Sequence, residues 1–135
     1  MSRAAIMSGR NVILVVDDNP EVLRCCTSIL GSAGFRVQVA GDGEEGLECF
    51  HRHRGELCLI LTDIVMPKMN GLELALAICT IDPAVPILLI SGYSDAVLEE
   101  DGRKTFPFIR KPFLASGLIQ KVHEVLGAPR TKVGR

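Results

Sequence analysis

The chain has 135 residues, 47% of them hydrophobic, and a formal net charge of -1. That length gives room for one core and one domain, and the near-neutral charge gives no electrostatic case for nucleic acid or an anionic membrane as a partner. No stretch reads as a transmembrane span, and Met1 to Arg10 lacks the apolar core of a signal peptide, so the expected location is the cytoplasm. Five cysteines (Cys25, Cys26, Cys49, Cys58 and Cys79) form no Cys-x-x-Cys pair and are odd in number. They are expected to be reduced packing residues.

Residues 1–10 are expected to be a disordered lead, residues 11–126 the folded domain and residues 127–135 a disordered tail. The first apolar run, Val12 to Val16, ends in Asp17-Asp18. Asn19 is suited to cap a helix with Pro20 at its first position. Val22, Cys26, Ile29, Leu30 and Ala33 then fall on one helical face, and Gly34 stops it. Phe35 to Ala40 alternates as a strand, with Val37 and Val39 on one side, and Asp42 to Arg54 is a second helix. A seven-residue stretch from Leu57 ends in Asp63. Asn70 or Gly71 opens a third helix, which Asp82-Pro83 ends. Pro86 to Ile90 is a strand ending in Ser91, and Ser94-Asp95 can cap a fourth helix, although Ala96 to Gly102 has few apolar residues. Phe106 to Arg110 leads to Lys111. The last helix is expected from Pro112 to Leu126, burying Phe113, Leu114, Leu118, Ile119, Val122 and Leu126.

Alternating strands and helices predict an α/β fold with a parallel sheet. The first, third and fourth strands are continuously apolar, as strands covered on both faces are. The second alternates, and the fifth contains Pro107, which cannot donate to a ladder and belongs at an edge. Right-handed crossovers then leave the order 2-1-3-4-5, a flavodoxin-like doubly wound sheet with five helices. Ligands of such sheets bind outside the carboxyl ends of the strands. Asp17, Asp18 and Asp63 therefore come together at the switch point, with the hydroxyl of Ser91 and the ammonium of Lys111 on the same edge. That set suits a divalent metal and a phosphoryl group.

Four motifs in order, Val15-Val-Asp-Asp18, Leu61-Thr-Asp-Ile-Val-Met-Pro-Lys-Met-Asn-Gly71, Ser91-Gly-Tyr93 and Lys111-Pro-Phe113, resemble the receiver domain of bacterial two-component response regulators. The resemblance spans Asn11 to about Leu126. It implies that Asp63 is the phosphoacceptor and that Asp17, Asp18, Asp63 and the backbone carbonyl of Val65 hold Mg²⁺, with Mn²⁺ an admissible substitute. It also implies that Ser91 and Lys111 contact the phosphoryl group, and that Ser91 and Phe108 act as the switch. Such a module promotes its own phosphorylation and dephosphorylation without being a turnover enzyme. The implied partners are a histidine kinase or histidine phosphotransfer protein and a downstream protein target, reached through the fourth helix, fifth strand and last helix. The expected state is a monomer or a weak phosphorylation-dependent dimer. The resemblance further places Val65 and Tyr93 beside the path of the hydrolytic water, which predicts slow autodephosphorylation.

Other readings fit less well. An aspartate-nucleophile phosphatase of the haloacid-dehalogenase kind needs a second aspartate where this chain has Val65. A nucleotide-binding enzyme needs a glycine-rich loop after the first strand, and Asp17-Asp-Asn-Pro20 is not one. A receiver module belonging to a hybrid sensor kinase shares the same chemistry, but no kinase region is present, and His51, His53 and His123 lack a phosphodonor context. His51-Arg-His-Arg54 is expected to be a basic helix end, which the helix dipole favours, and not a metal site.

Overall fold

Three apolar runs without an interior polar residue must be covered from both sides, and the computed structural model shows how. It describes residues 9–92 and 106–127. Strands β1 (Val12–Val16), β3 (Leu57–Asp63) and β4 (Ile87–Ser91) are buried along their whole length. β2 (Arg36–Ala40) and β5 (Phe108–Arg110) flank them, giving a five-stranded parallel sheet in the order β2-β1-β3-β4-β5. The helices among the described residues are α1 (Pro20–Ser32), α2 (Gly43–Arg52), α3 (Gly71–Ile81) and α4 (Ala115–Gly127). The helix expected around Ala96 to Gly102, Tyr93 and most of the two terminal segments lie outside the described residues.

Side-chain alternation divides the strands between two cores. Val12, Leu14 and Val16 join Phe50 of α2 and Leu74 and Ile78 of α3 on one face. Ile13 and Val15 join Cys26 and Leu30 of α1 and Leu118 and Val122 of α4 on the other. One irregularity breaks the rhythm. The β1–β3 register passes from Val12↔Leu57 to Ile13↔Leu59. Cys58 is therefore the extra residue of a bulge, and it shares the second core with Leu59.

Capping follows the residues singled out in the sequence. Asn19 accepts the Glu21 N–H at the start of α1, and Asp42 accepts the Glu45 N–H at the start of α2. Asn70 and Glu73 exchange backbone N–H bonds at 2.8 and 2.9 Å in a capping box opening α3. His53 faces Glu56 at 3.7 Å, and the Arg54 guanidinium lies 5.8 Å from the Phe50 ring centre, so the basic run at the end of α2 is engaged in local contacts.

Several boundaries differ from expectation. α2 ends at Arg52, and α4 begins three residues later than expected and extends through Gly127. Leu114 precedes α4 and is 77% exposed, so it does not belong to the buried stripe that helical spacing assigned to it. β5 starts only at Phe108, because Pro107 offers its carbonyl to the Leu89 N–H but has no N–H of its own. Val39, placed with Val37 by alternation, is 46% exposed, as an edge strand permits.

Candidate functional site

β1 and β3 are neighbours in the sheet, and their C-terminal ends bring the acidic residues together. Carboxylate oxygens of Asp17, Asp18 and Asp63 all lie within 4.8 Å of one another. Asp17 is fully buried, Asp63 nearly so, and Asp18 is exposed. The Asn19 N–H donates to Asp17 Oδ1 at 2.9 Å, and the Ile64 N–H donates to Asp63 Oδ1 at 2.8 Å. Each carboxylate is thus oriented by the backbone just beyond its strand. The Lys111 ammonium lies 3.5 Å from Asp17 Oδ2 and 3.5 Å from Asp63 Oδ2. Its backbone N–H donates to the Ser91 carbonyl at 2.7 Å, so β4 positions the lysine.

Burial governs the electrostatics. It pushes the carboxyls of both Asp17 and Asp63 above the usual carboxylate range. The Asp17 charge raises Asp63 further, while Lys111 and the backbone N–H bonds pull both down. One ammonium cannot neutralise three carboxylates, so the cluster has a charge deficit that a dication would fill. Hard carboxylate oxygens suit a hard divalent cation. Among the described residues this is the group of His, Cys, Asp and Glu side chains able to hold a metal.

Of the remaining predicted residues, Ser91 ends β4 on the same sheet edge, Val65 lies in the connection after β3, and Phe108 begins β5 opposite Leu89. Ser91 is fully buried, and among the described residues its hydroxyl makes a long 3.4 Å bond to the Gly92 carbonyl, weak enough to yield to a stronger acceptor. Val65 follows Asp63 by two residues, and its side chain is 70% exposed. Phe108 is half-buried against the core that contains α2 and α3. None of the five cysteines forms a disulfide, and burial pushes the Cys26 thiol up to about 12, well away from reactivity.

Two residues beside the site were not singled out as functional in the sequence. Thr62 is fully buried and donates its hydroxyl to the Asp63 carbonyl at 3.0 Å. Gly71 donates its N–H to the Ile64 carbonyl at 2.7 Å, and a Cβ there would sit 1.9 Å from the Asp63 carbonyl oxygen. Only glycine permits that approach. Glycine is a poor helix former, and its position as the first residue of α3 was the available signal.

An acidic cluster and a lysine at the carboxyl edge of a 2-1-3-4-5 sheet narrow the families this chain can join. Residues 13–123 match the family model described as the response regulator receiver domain. The chain is 31% identical over 116 residues to the response regulator receiver protein CpdR of Brucella abortus (strain 2308), covering 84% of this chain and 95% of that protein. It is 30% identical over 128 residues to the sensor kinase CckA of the same organism, covering 93% of this chain but only 14% of the kinase. Its fold is similar to the crystal structure of the CheX-CheY-BeF3-Mg²⁺ complex from Borrelia burgdorferi. There the TM-score is 0.79 and the identity 29%, over 87% of this chain and 90% of that one. Fold, site geometry and relatives agree, and the chain belongs to the response regulator receiver domain family.

Proposed function

We propose that this receiver takes a phosphoryl group from a phosphohistidine onto Asp63, in a reaction that depends on a divalent cation. The donor is a histidine kinase or a histidine phosphotransfer protein. The single observation that carries this reading is the meeting of Asp17, Asp18 and Asp63 with Lys111 at one sheet edge. The likeness to a protein solved with BeF3 and Mg²⁺ supports it.

A carboxylate oxygen of Asp63 attacks phosphorus, an acyl phosphate forms, and the P–N bond breaks with its electron pair returning to the imidazole. Phosphoryl transfer needs little covalent assistance from the protein, so positioning and charge are what the residues supply. The Ile64 N–H holds the Asp63 carboxylate in place. Lys111 stands opposite Asp63 Oδ2, where an ammonium can follow a phosphoryl oxygen, and Ser91 offers its hydroxyl as a donor. Asp17, Asp18, Asp63 and the Val65 backbone carbonyl would hold Mg²⁺, or Mn²⁺ in its place, and the bound ion would neutralise the carboxylates and the phosphoryl oxygens.

The output is a change in a protein-binding surface, because phosphorylation can bias a two-state element. Movement of Ser91 toward the phosphoryl group opens space that the Phe108 ring can enter, coupling the site to β5. Five cysteines outside any disulfide, three of them buried, suit a reducing cytoplasmic compartment. The receiver domain is taken to span residues 11–126. A second reading, a receiver belonging to a hybrid sensor kinase, is favoured by the similarity to CckA and leaves the chemistry at Asp63 unchanged.

Incubation with a small acyl phosphate and Mg²⁺ should add one acid-labile phosphoryl group, read by intact mass. Uptake by Asp63→Asn, or undiminished uptake in excess chelator, would overturn the assignment.

A further inference from the structure

The connection from β3 to α3, Ile64 to Asn70, carries the Val65 carbonyl proposed above as a cation ligand, and its middle is fastened to a different helix. Lys68 has φ of 70°, a left-handed conformation that a side chain with a Cβ disfavours. Its ammonium lies 3.8 Å from Asp42 Oδ2 and 4.0 Å from Glu44 Oε1, both at the start of α2. The other Asp42 oxygen caps α2 by accepting the Glu45 N–H at 2.8 Å, and the Glu45 side chain accepts from the Gly41 N–H. One carboxylate therefore joins the helix cap to the loop. The next residue touches the same turn. A Cβ on Gly43 would stand 2.6 Å from the Met69 carbonyl oxygen and 2.7 Å from Met69 Cβ. The first turn of α2 is the floor on which the loop rests.

Ion pairs this exposed contribute little by themselves, so the backbone-close packing of Gly43 under Met69 is the stronger anchor. The two ends of the loop are fixed by the Gly71 N–H on the Ile64 carbonyl and by Gly71 lying against the Asp63 carbonyl. Between those fixed ends the path of the loop, and with it the position of the Val65 carbonyl relative to the aspartates, depends on how α2 holds its middle.

We infer that Gly43 and Asp42, acting through Met69 and Lys68, are positioning residues for the cation site. This rests on the metal site proposed for Asp17, Asp18, Asp63 and the Val65 carbonyl. The two dications separate positioning from simple charge. Mg²⁺ demands near-ideal octahedral geometry, whereas Ca²⁺ accepts flexible coordination at longer distances. A loop shifted by a few tenths of an ångström harms Mg²⁺ binding more than Ca²⁺ binding, whereas a lost distant charge weakens both alike.

The test is calorimetric titration of the full chain with Mg²⁺ and separately with Ca²⁺. Gly43→Ala should weaken Mg²⁺ binding by about 10-fold or more, the scale of outer-shell effects on metal affinity, and weaken Ca²⁺ binding distinctly less. Gly31→Ala, whose Cβ meets nothing within 4 Å, should leave both affinities unchanged. A melt in chelator checks the fold. If Gly43→Ala gives no cooperative melt, the double variant Asp42→Asn with Glu44→Gln decides, because asparagine still caps α2 while Lys68 is released. It should show a smaller loss with the same bias against Mg²⁺. Unchanged affinities, or equal loss for both ions, would overturn the inference. No Mg²⁺ binding by the parent, or parental binding by Asp18→Ala, would instead locate the failure in the site itself and remove the inference with it.

Discussion

Asp17, Asp18 and Asp63 stand at the ends of β1 and β3, strands of five and seven residues that are buried throughout. Phe108 and Lys111 stand on or just past β5, a three-residue edge strand with no fully buried member. The proposed phosphoacceptor and the acidic cluster thus rest on the centre of the sheet together with Ser91 at the end of β4, whereas Phe108, the other member of the proposed switch, rests on its edge. Phosphoryl transfer needs side chains held in place. A switch needs a segment that can change at small cost, which the low-stability end of a fold supplies.

Stability measurements offer the largest test of that contrast. Ile60, in the middle of β3, is fully buried, and Ile60→Ala should cost ~4 kcal/mol in urea unfolding. Ile109 on β5 is only half-buried, and Ile109→Ala should cost ~1.5 kcal/mol. Equal costs would mean that the edge is as firmly held as the centre.

Charge gives the next test. Mg²⁺ at ~100 times its Kd should stabilise the protein by ~2.7 kcal/mol, a gain that Asp18→Ala should abolish in thermal melts. Without metal, the pH dependence follows from the raised Asp17 and Asp63 carboxyls. The folded state holds those protons more tightly than the unfolded chain does. Their contribution is therefore fully present below the ordinary carboxylate range and is lost as pH rises through the raised folded values. Chelated protein should lose stability over that window, and Asp17→Asn should flatten the loss. A stability rising with pH there, and traced to these two groups, would contradict the burial argument.

Smaller effects concern the switch and the signal lifetime. A beryllofluoride mimic should shift amide signals from Ser91 to Phe108 and along β5 more than those of β1. Identical β5 spectra would make Phe108 a passive core ring. The exposed Val65 side chain has no group to orient water, so Val65→Asn combined with Tyr93→Glu should speed loss of the phosphoryl group without slowing its uptake. Decay no faster than the parent would place control of the lifetime elsewhere.

Much of this was legible from hydrophobic pattern. Continuous apolar runs marked β1, β3 and β4 as central, and Pro107 marked β5 as an edge, which together led to the observed order and the convergence at Asp17 and Asp63. What escaped depends on tertiary contact. Helical spacing assigned Leu114 a buried place because periodicity carries no information on where a helix begins. Lys68 gives no sequence sign of a left-handed backbone, and its partners Asp42 and Glu44 stand more than twenty residues earlier. Gly71 could be placed at a helix start, but its approach to the Asp63 carbonyl required coordinates.

The central claim, that Asp63 is the residue phosphorylated, is tested most directly by trapping the acyl phosphate. The chain is phosphorylated with a small acyl phosphate and Mg²⁺, reduced with borohydride so that an aspartyl phosphate becomes homoserine, and mapped by peptide mass spectrometry. The account predicts homoserine at position 63, with Asp17 and Asp18 unmodified. Homoserine at either of those positions, or none at 63 in a sample shown to carry phosphate, would contradict it.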